Sequence, residues 1–172
     1  MYKKCNLNYD YDYFIKQKFP EVTSCIKHQV HELKDIHQEY GGFPETYTMA
    51  NTSIHQLWFD KDQVDFVDLG DQLGMEVVTV SCIKQPPGQA IPWHRDMFYQ
   101  ITKRFPDDKR LKVRANIYLE DWKMGQFLQF DDKVDTHWKA GEGHLWDSKV
   151  LHLGANAGFH DKHTLQVSGF LI

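Results

Sequence analysis

The run Ile91-Pro-Trp-His-Arg-Asp sets a histidine and an aspartate two residues apart, His94 and Asp96. A second histidine, His152, stands well downstream in Trp146-Asp-Ser-Lys-Val-Leu-His-Leu-Gly. Two imidazoles and one carboxylate, with no Cys or His cluster beside them, match a triad that holds one face of an octahedral Fe(II) and leaves the other face open. Residues i and i+2 of a strand point to the same side, so His94 and Asp96 can grip one ion from one strand while His152 must come from another. The ordinary alternative is a buried hydrogen-bonded His94–Asp96 pair with an unrelated His152. It does not explain why Pro-Trp leads into the pair and a glycine follows the distal histidine.

Other histidines compete for the third position. His137, His144, His160 and His163 are alternatives, with His144 placed to line the same site and His160 in a Gly/Asn/Asp-rich loop. His28, His31 and His37 fall on an expected helix, and His31-Glu32 does not open a zinc-binding HExxH because position 35 is Asp. There is no phosphate-binding glycine loop, no nucleophile elbow and no Cys–His pair at an informative spacing.

The elements that must position these residues change character along the chain. Ile26, Val30, Leu33 and Ile36 predict an amphipathic helix from Val22 to about Tyr40, stopped by Gly41-Gly42, and Asp62–Leu73 predicts a short helix ending at Gly74. From Met75 onward strands are expected. Met75–Ile83 runs into the turn signal Gln85-Pro-Pro-Gly. Leu111–Glu120 alternates, with Leu111, Val113, Ala115, Ile117 and Leu119 on one face and Lys112, Arg114, Asn116, Tyr118 and Glu120 on the other. Lys162–Ile172 alternates too, Leu165, Val167 and Leu171 against Lys162, Thr164, Gln166 and Ser168. Gly125–Phe130, Val134–Trp138 and His144–Trp146 are shorter strand candidates. Helices followed by about eight antiparallel strands predict a mainly β (α+β) double-stranded β-helix, a jelly-roll or cupin-like barrel braced by N-terminal helices. The polar faces of the two alternating strands then point either into an internal pocket or into solvent.

The 172 residues fit a single domain, with a helical part over about 1–74 and a barrel core over about 75–172. A net charge of −4 gives no reason to expect nucleic acid or an anionic membrane as partner. Lys103-Arg104, Lys109-Arg110, Lys112 and Arg114 make a local basic cluster around Phe105-Pro-Asp-Asp, read as a solvated loop. Cys5, Cys25 and Cys82 are odd in number and widely spaced, which fits reduced thiols. With no apolar leader or spanning run, the expectation is a soluble, cytoplasmic protein. The sequence says nothing of its oligomeric state.

The HxD…H pattern of His94, Asp96 and His152, approached through Gly141-Glu-Gly-His-Leu-Trp-Asp-Ser-Lys-Val-Leu-His-Leu-Gly, resembles the Fe(II)/2-oxoglutarate-dependent dioxygenases. Lys162-His163-Thr164 stands where that family places a basic residue after the distal histidine, followed two positions on by Ser or Thr. Val113-Arg114-Ala-Asn116-Ile-Tyr-Leu119 resembles a strand of the aspartyl/asparaginyl β-hydroxylase branch, and there is a weaker likeness to prolyl hydroxylases. The resemblance covers roughly residues 75–172. It implies Fe(II) on His94, Asp96 and His152, and 2-oxoglutarate and O2 as co-substrates. It also implies hydroxylation of a C–H bond in a peptidyl residue or small molecule, coupled to decarboxylation of 2-oxoglutarate to succinate and CO2. Lys162, or His163, would pair with the distal carboxylate of 2-oxoglutarate and Thr164 would donate to it. Arg114 with Asn116 is the rival or partner, and Ser81, Tyr99 and Tyr118 are further donors. Trp93, Phe98 and the loop around Trp122 are the positions where substrate contacts are expected. Two other classes stay open: a cupin-type metal enzyme that does not use 2-oxoglutarate, and a non-catalytic binding domain on the same fold.

Overall fold

A computed structural model describes residues 1–24, 36–42 and 44–172. Two antiparallel sheets face each other. The strands are β1 (Tyr2–Asn6), β2 (Thr23–Ser24), β3 (Ser53–Phe59), β4 (Met75–Gln85), β5 (Gln89–His94), β6 (Lys112–Tyr118), β7 (Gln126–Phe130), β8 (Val134–Asp135), β9 (Glu142–Asp147), β10 (His152–Asn156) and β11 (Lys162–Leu171). The larger sheet has the order β1-β9-β6-β11-β4-β3-β2, and the smaller β5-β10-β7-β8. This is the expected double-stranded β-helix, with eight strands from Met75 onward.

The alternating strands behave as their pattern predicts. Val113, Ala115 and Ile117 of β6 and Leu165 and Val167 of β11 are buried in the main core. They pack there with Phe14 of α1 (Tyr11–Ile15) and Phe66, Leu69 and Leu73 of α2 (Phe66–Leu73). Their polar partners Arg114, Asn116, Lys162, Thr164, Gln166 and Ser168 line a cavity between the sheets. The apolar face meets the helices and the polar face meets the pocket, as period-two alternation allows.

Residues 1–74 were expected to supply helices, and they supply strands as well. β1 extends the larger sheet beside β9, and β3 pairs with β4. Strand β1 has no alternating pattern, because it is an edge with one neighbour. The helix expected over Val22–Tyr40 falls mostly on residues outside those described. Thr23–Ser24 form a strand, and residues 36–39 are helical. The helix expected over Asp62–Leu73 starts at Phe66, where the Asp65 carboxylate accepts from the Val67 and Asp68 amides. It ends at Gly74, whose φ of 69° is a left-handed cap. Among the described residues no helix is long and apolar enough to cross a membrane.

One irregularity sets which residues of β4 face the core. Ser168 pairs with Thr79 but Gly169 pairs with Val77, so Val78 is an extra residue in β4. Thr79 faces the cavity in phase with Ile83 and Gln85, and the bulge brings Val77 to the core face that Val80 and Cys82 occupy. Gly169 lies so close to β4 that an added Cβ would sit 1.8 Å from the Glu76 carbonyl oxygen. Gly169→Ala is therefore expected to cost at least about 2 kcal/mol through backbone displacement. The check is a lower midpoint in urea at unchanged slope.

Candidate metal centre

His94 closes β5, Asp96 follows just beyond the strand end, and His152 opens β10 directly opposite His94. His152 comes from a different strand, as expected, but Asp96 lies beyond the end of β5 and so does not share a strand face with His94 as the i, i+2 argument expects. All three are buried. The His94 Nε2 lies 4.0 Å from Asp96 Oδ1, and the His152 Nε2 lies 3.9 Å from Oδ2. These donors are too far apart to hydrogen-bond to one another. All three ligand atoms lie within 4.8 Å of each other, and the group could hold a metal ion.

Each imidazole is fixed from behind. Nδ1 of His94 is 2.7 Å from the Pro92 carbonyl oxygen and Nδ1 of His152 is 3.1 Å from that of Val150. A carbonyl only accepts, so Nδ1 carries the proton and Nε2 presents its lone pair inward. Burial lowers both imidazoles, His152 to about 3 with the help of His94. Burial works to raise Asp96, but Arg114, then the two histidines and the Trp146 indole, outweigh it and hold the carboxyl at about 2. At neutral pH all three side chains are already in the form that binds a cation.

Asp96 is oriented by two residues. Arg114 Nη1 donates to Oδ1, Trp146 Nε1 donates to Oδ2 at 2.7 Å, and Arg114 Nε is braced on Ser168 Oγ at 3.0 Å. Arg114, expected as the rival or partner of Lys162 on the co-substrate, pairs with Asp96 and also lines the cavity. Trp146 was visible only as a core-type residue, and no spacing rule links it to Asp96.

The triad shares a cavity of about 730 Å³ with Lys162, Thr164 and Asn116. Lys162 is 5% exposed. Its ammonium donates to the Phe127 carbonyl at 2.8 Å and lies 5.5 Å from the centre of the Trp138 ring. Burial pushes it down to about 7, against the opposing charge of Asp135. No carboxylate lies within ion-pair reach of it among the described residues. Asn116 Oδ1 is buried there without a hydrogen-bond partner among the described residues.

The other expected residues are distributed as follows. His163 binds Glu120 through Nδ1 at 2.7 Å, and His144 binds Asp135 through Nε2 at 2.6 Å. His137 is exposed and stacks on Trp122 with ring centres 4.1 Å apart, and His160 is exposed in its loop. None of the four joins the triad. Ser81 accepts from Gln56 at 3.1 Å, and Tyr118 donates to Asp135 at 2.7 Å and stacks on Trp138. Phe98 and Tyr99 line the cavity, but Trp93 and Trp122 do not. In the basic cluster Arg110 is held by Asp108 and Glu76, while Arg104 reaches the cavity rim. Cys5 and Cys82 are free thiols, both pushed up to about 12 by burial.

The sheets and this group define a double-stranded β-helix protein with a buried His-Asp-His site suited to a metal. The chain is similar in fold to the viral collagen prolyl hydroxylase vCPH from Paramecium Bursaria Chlorella virus-1, solved as its 2OG complex. The two are 16% identical over 99% of this chain and 96% of that one, with a TM-score of 0.55. It is likewise similar to a Pseudomonas putida prolyl-4-hydroxylase, at 17% identity over 98% of this chain and 92% of that one, with a TM-score of 0.53. At such identities the likeness is one of fold. No family model matches the chain, and no curated protein matches it in sequence.

Proposed function

We propose that this protein is a non-haem Fe(II) and 2-oxoglutarate-dependent oxygenase that hydroxylates a C–H bond. The observation that carries the reading is the pairing, in one cavity, of a converging His-Asp-His triad with a buried lysine that has no carboxylate of its own. A buried ammonium without a counter-charge is costly, and a dicarboxylate co-substrate supplies that charge. The donor set, two neutral nitrogens and one carboxylate, fits Fe(II) with positions left open.

On this reading His94, Asp96 and His152 hold the iron. Iron with 2-oxoglutarate and O2 would supply the oxidising chemistry, ending in succinate and CO2. The chain's own work is positional. Arg114 and Trp146 fix the plane of the Asp96 carboxylate. Lys162 meets the distal carboxylate of 2-oxoglutarate, Thr164 donates to it, and Asn116 completes the polar wall. Leu128, Ile83 and Ile91, which also line the cavity, keep that end dry.

The test is an anaerobic Fe(II) titration with and without 2-oxoglutarate, followed by visible absorption. A weak metal-to-ligand charge-transfer band is expected with 2-oxoglutarate and is lost in His94→Ala. Iron binding without the band would leave a metal protein of another kind, and no iron binding would remove the reading altogether.

A further inference from the structure

The cavity has a second side that metal and co-substrate leave unused. Its rim is built from β3, which carries Trp58, and from α3 (Tyr99–Arg104), with Met97 just before it. Trp58, Met97 and Tyr99 are large apolar side chains exposed to solvent, and all three sit on this rim. Beneath them the floor is polar and uncharged, with Gln56, Thr79 and Gln166.

Charge singles out one residue. The charged side chains lining the cavity are Asp96, Arg114, Lys162 and Arg104. Asp96 and Arg114 cancel as a pair, and Lys162 lies buried. Arg104 has no carboxylate partner among the described residues, and its hydrogen bond to the Val78 carbonyl is long at 3.5 Å. Arg110, from the same basic stretch, is by contrast neutralised by Asp108 and Glu76. An acidic chain of net charge −4 thus keeps an excess of cations in this cavity, with no acid on that rim among the described residues. A divalent ion and a dianionic co-substrate would offset each other and leave this balance in place.

We infer that the substrate is a small acid, whose planar or apolar body lies on Trp58 and Tyr99 and whose carboxylate or phosphate is met by Arg104. The inference rests on the proposed function for taking the cleft as a substrate site. The cavity volume is in the range of small-molecule sites. Aromatic faces accept flat apolar bodies, and a guanidinium binds carboxylate and phosphate through paired N–H donors.

The experiment is calorimetric titration of the anaerobic protein, loaded with Fe(II) and saturating 2-oxoglutarate, using indole-3-acetate, its neutral amide and phenyl phosphate. Indole-3-acetate should bind about fivefold more tightly than the amide, the upper range for a partly exposed ion pair. Arg104→Gln should abolish that preference, and Arg104→Lys, which keeps the charge but not the paired N–H donors, should restore part of it. The anion weakened more by Arg104→Gln identifies carboxylate or phosphate. Equal binding of acid and amide, or anion binding untouched by Arg104→Gln, overturns the inference. The charge-transfer band in the same samples separates the two readings. An acid preference without the band sinks the oxygenase proposal alone; a band without the preference sinks this inference alone.

Discussion

Lys162→Met will bind 2-oxoglutarate at least about a hundredfold more weakly than the parent chain, and at neutral pH it will melt at a higher temperature. The first effect is the loss of the one charged partner for a buried carboxylate, which costs about 3 to 5 kcal/mol. The second follows from the lysine's own cost. Its folded-state value of about 7 lies below the ordinary 10.5. Between these values the unfolded chain binds more protons than the folded one, so this group's contribution to stability rises with pH over that window. Below pH 7 the full cost is present, and a methionine of similar length removes it. For a chain of this size each kcal/mol moves Tm by about 2 to 4 °C. The gain should be largest near pH 6 and vanish near pH 10.5. In the parent chain, 2-oxoglutarate affinity should fall as pH rises through 7, by up to about tenfold per unit, because the dianion binds the protonated amine. Titrations and melting curves from pH 6 to 9 read both effects. A variant with parental affinity would remove Lys162 as the anchor.

Arg114→Met should destabilise the metal-free protein by about 3 to 5 kcal/mol, because it strands a buried carboxylate. Asp96 is 2% exposed and would keep only the Trp146 indole N–H. Two controls isolate this cause. A saturating divalent cation should recover much of the loss, since it binds the folded state alone and neutralises Asp96. The double variant with Asp96→Leu should recover it without metal, because no charge is left buried. Unfolding in urea with chelator, then with Mn(II), gives both numbers. Parental stability of Arg114→Met in chelator would mean that the ion pair with Asp96 does not neutralise that site.

The strands that place the pocket residues were legible because they alternate over several residues. β6 and β11 are flanked by neighbours on both sides in the sheet, so one face must be core, and the polar face had only the pocket left. His94 and Asp96 stand out in the sequence by residue type and close spacing, although Asp96 lies beyond the end of β5 and strand period does not place it. What stayed hidden depends on contacts between distant segments. Tyr2–Asn6 has no periodic signal because an edge strand buries little on either face. The pairing of Arg114 with Asp96 arises only when β6 lies under the end of β5, and a loop reading for its basic neighbourhood was natural. Trp146 looks like any core aromatic until its indole nitrogen is seen on Asp96. The Val78 bulge, which brings Val77 to the core face, breaks the alternation of β4 and leaves no mark in the residue pattern.

The backbone carbonyls behind His94 and His152, with Arg114 on Asp96, leave the three donors preset before any ion arrives. Loading then requires no folding step and no proton release, and a chelator should yield an intact apoprotein rather than an unfolded chain, unlike small zinc domains. The same readiness makes the site undiscriminating. Zn(II), Ni(II) and Cu(II) bind nitrogen and oxygen donors more strongly than Fe(II), and a rigid three-donor face offers nothing that rejects them. Occupancy would therefore follow the local supply of metals, and a preparation exposed to stray zinc would be fully folded with its site already filled.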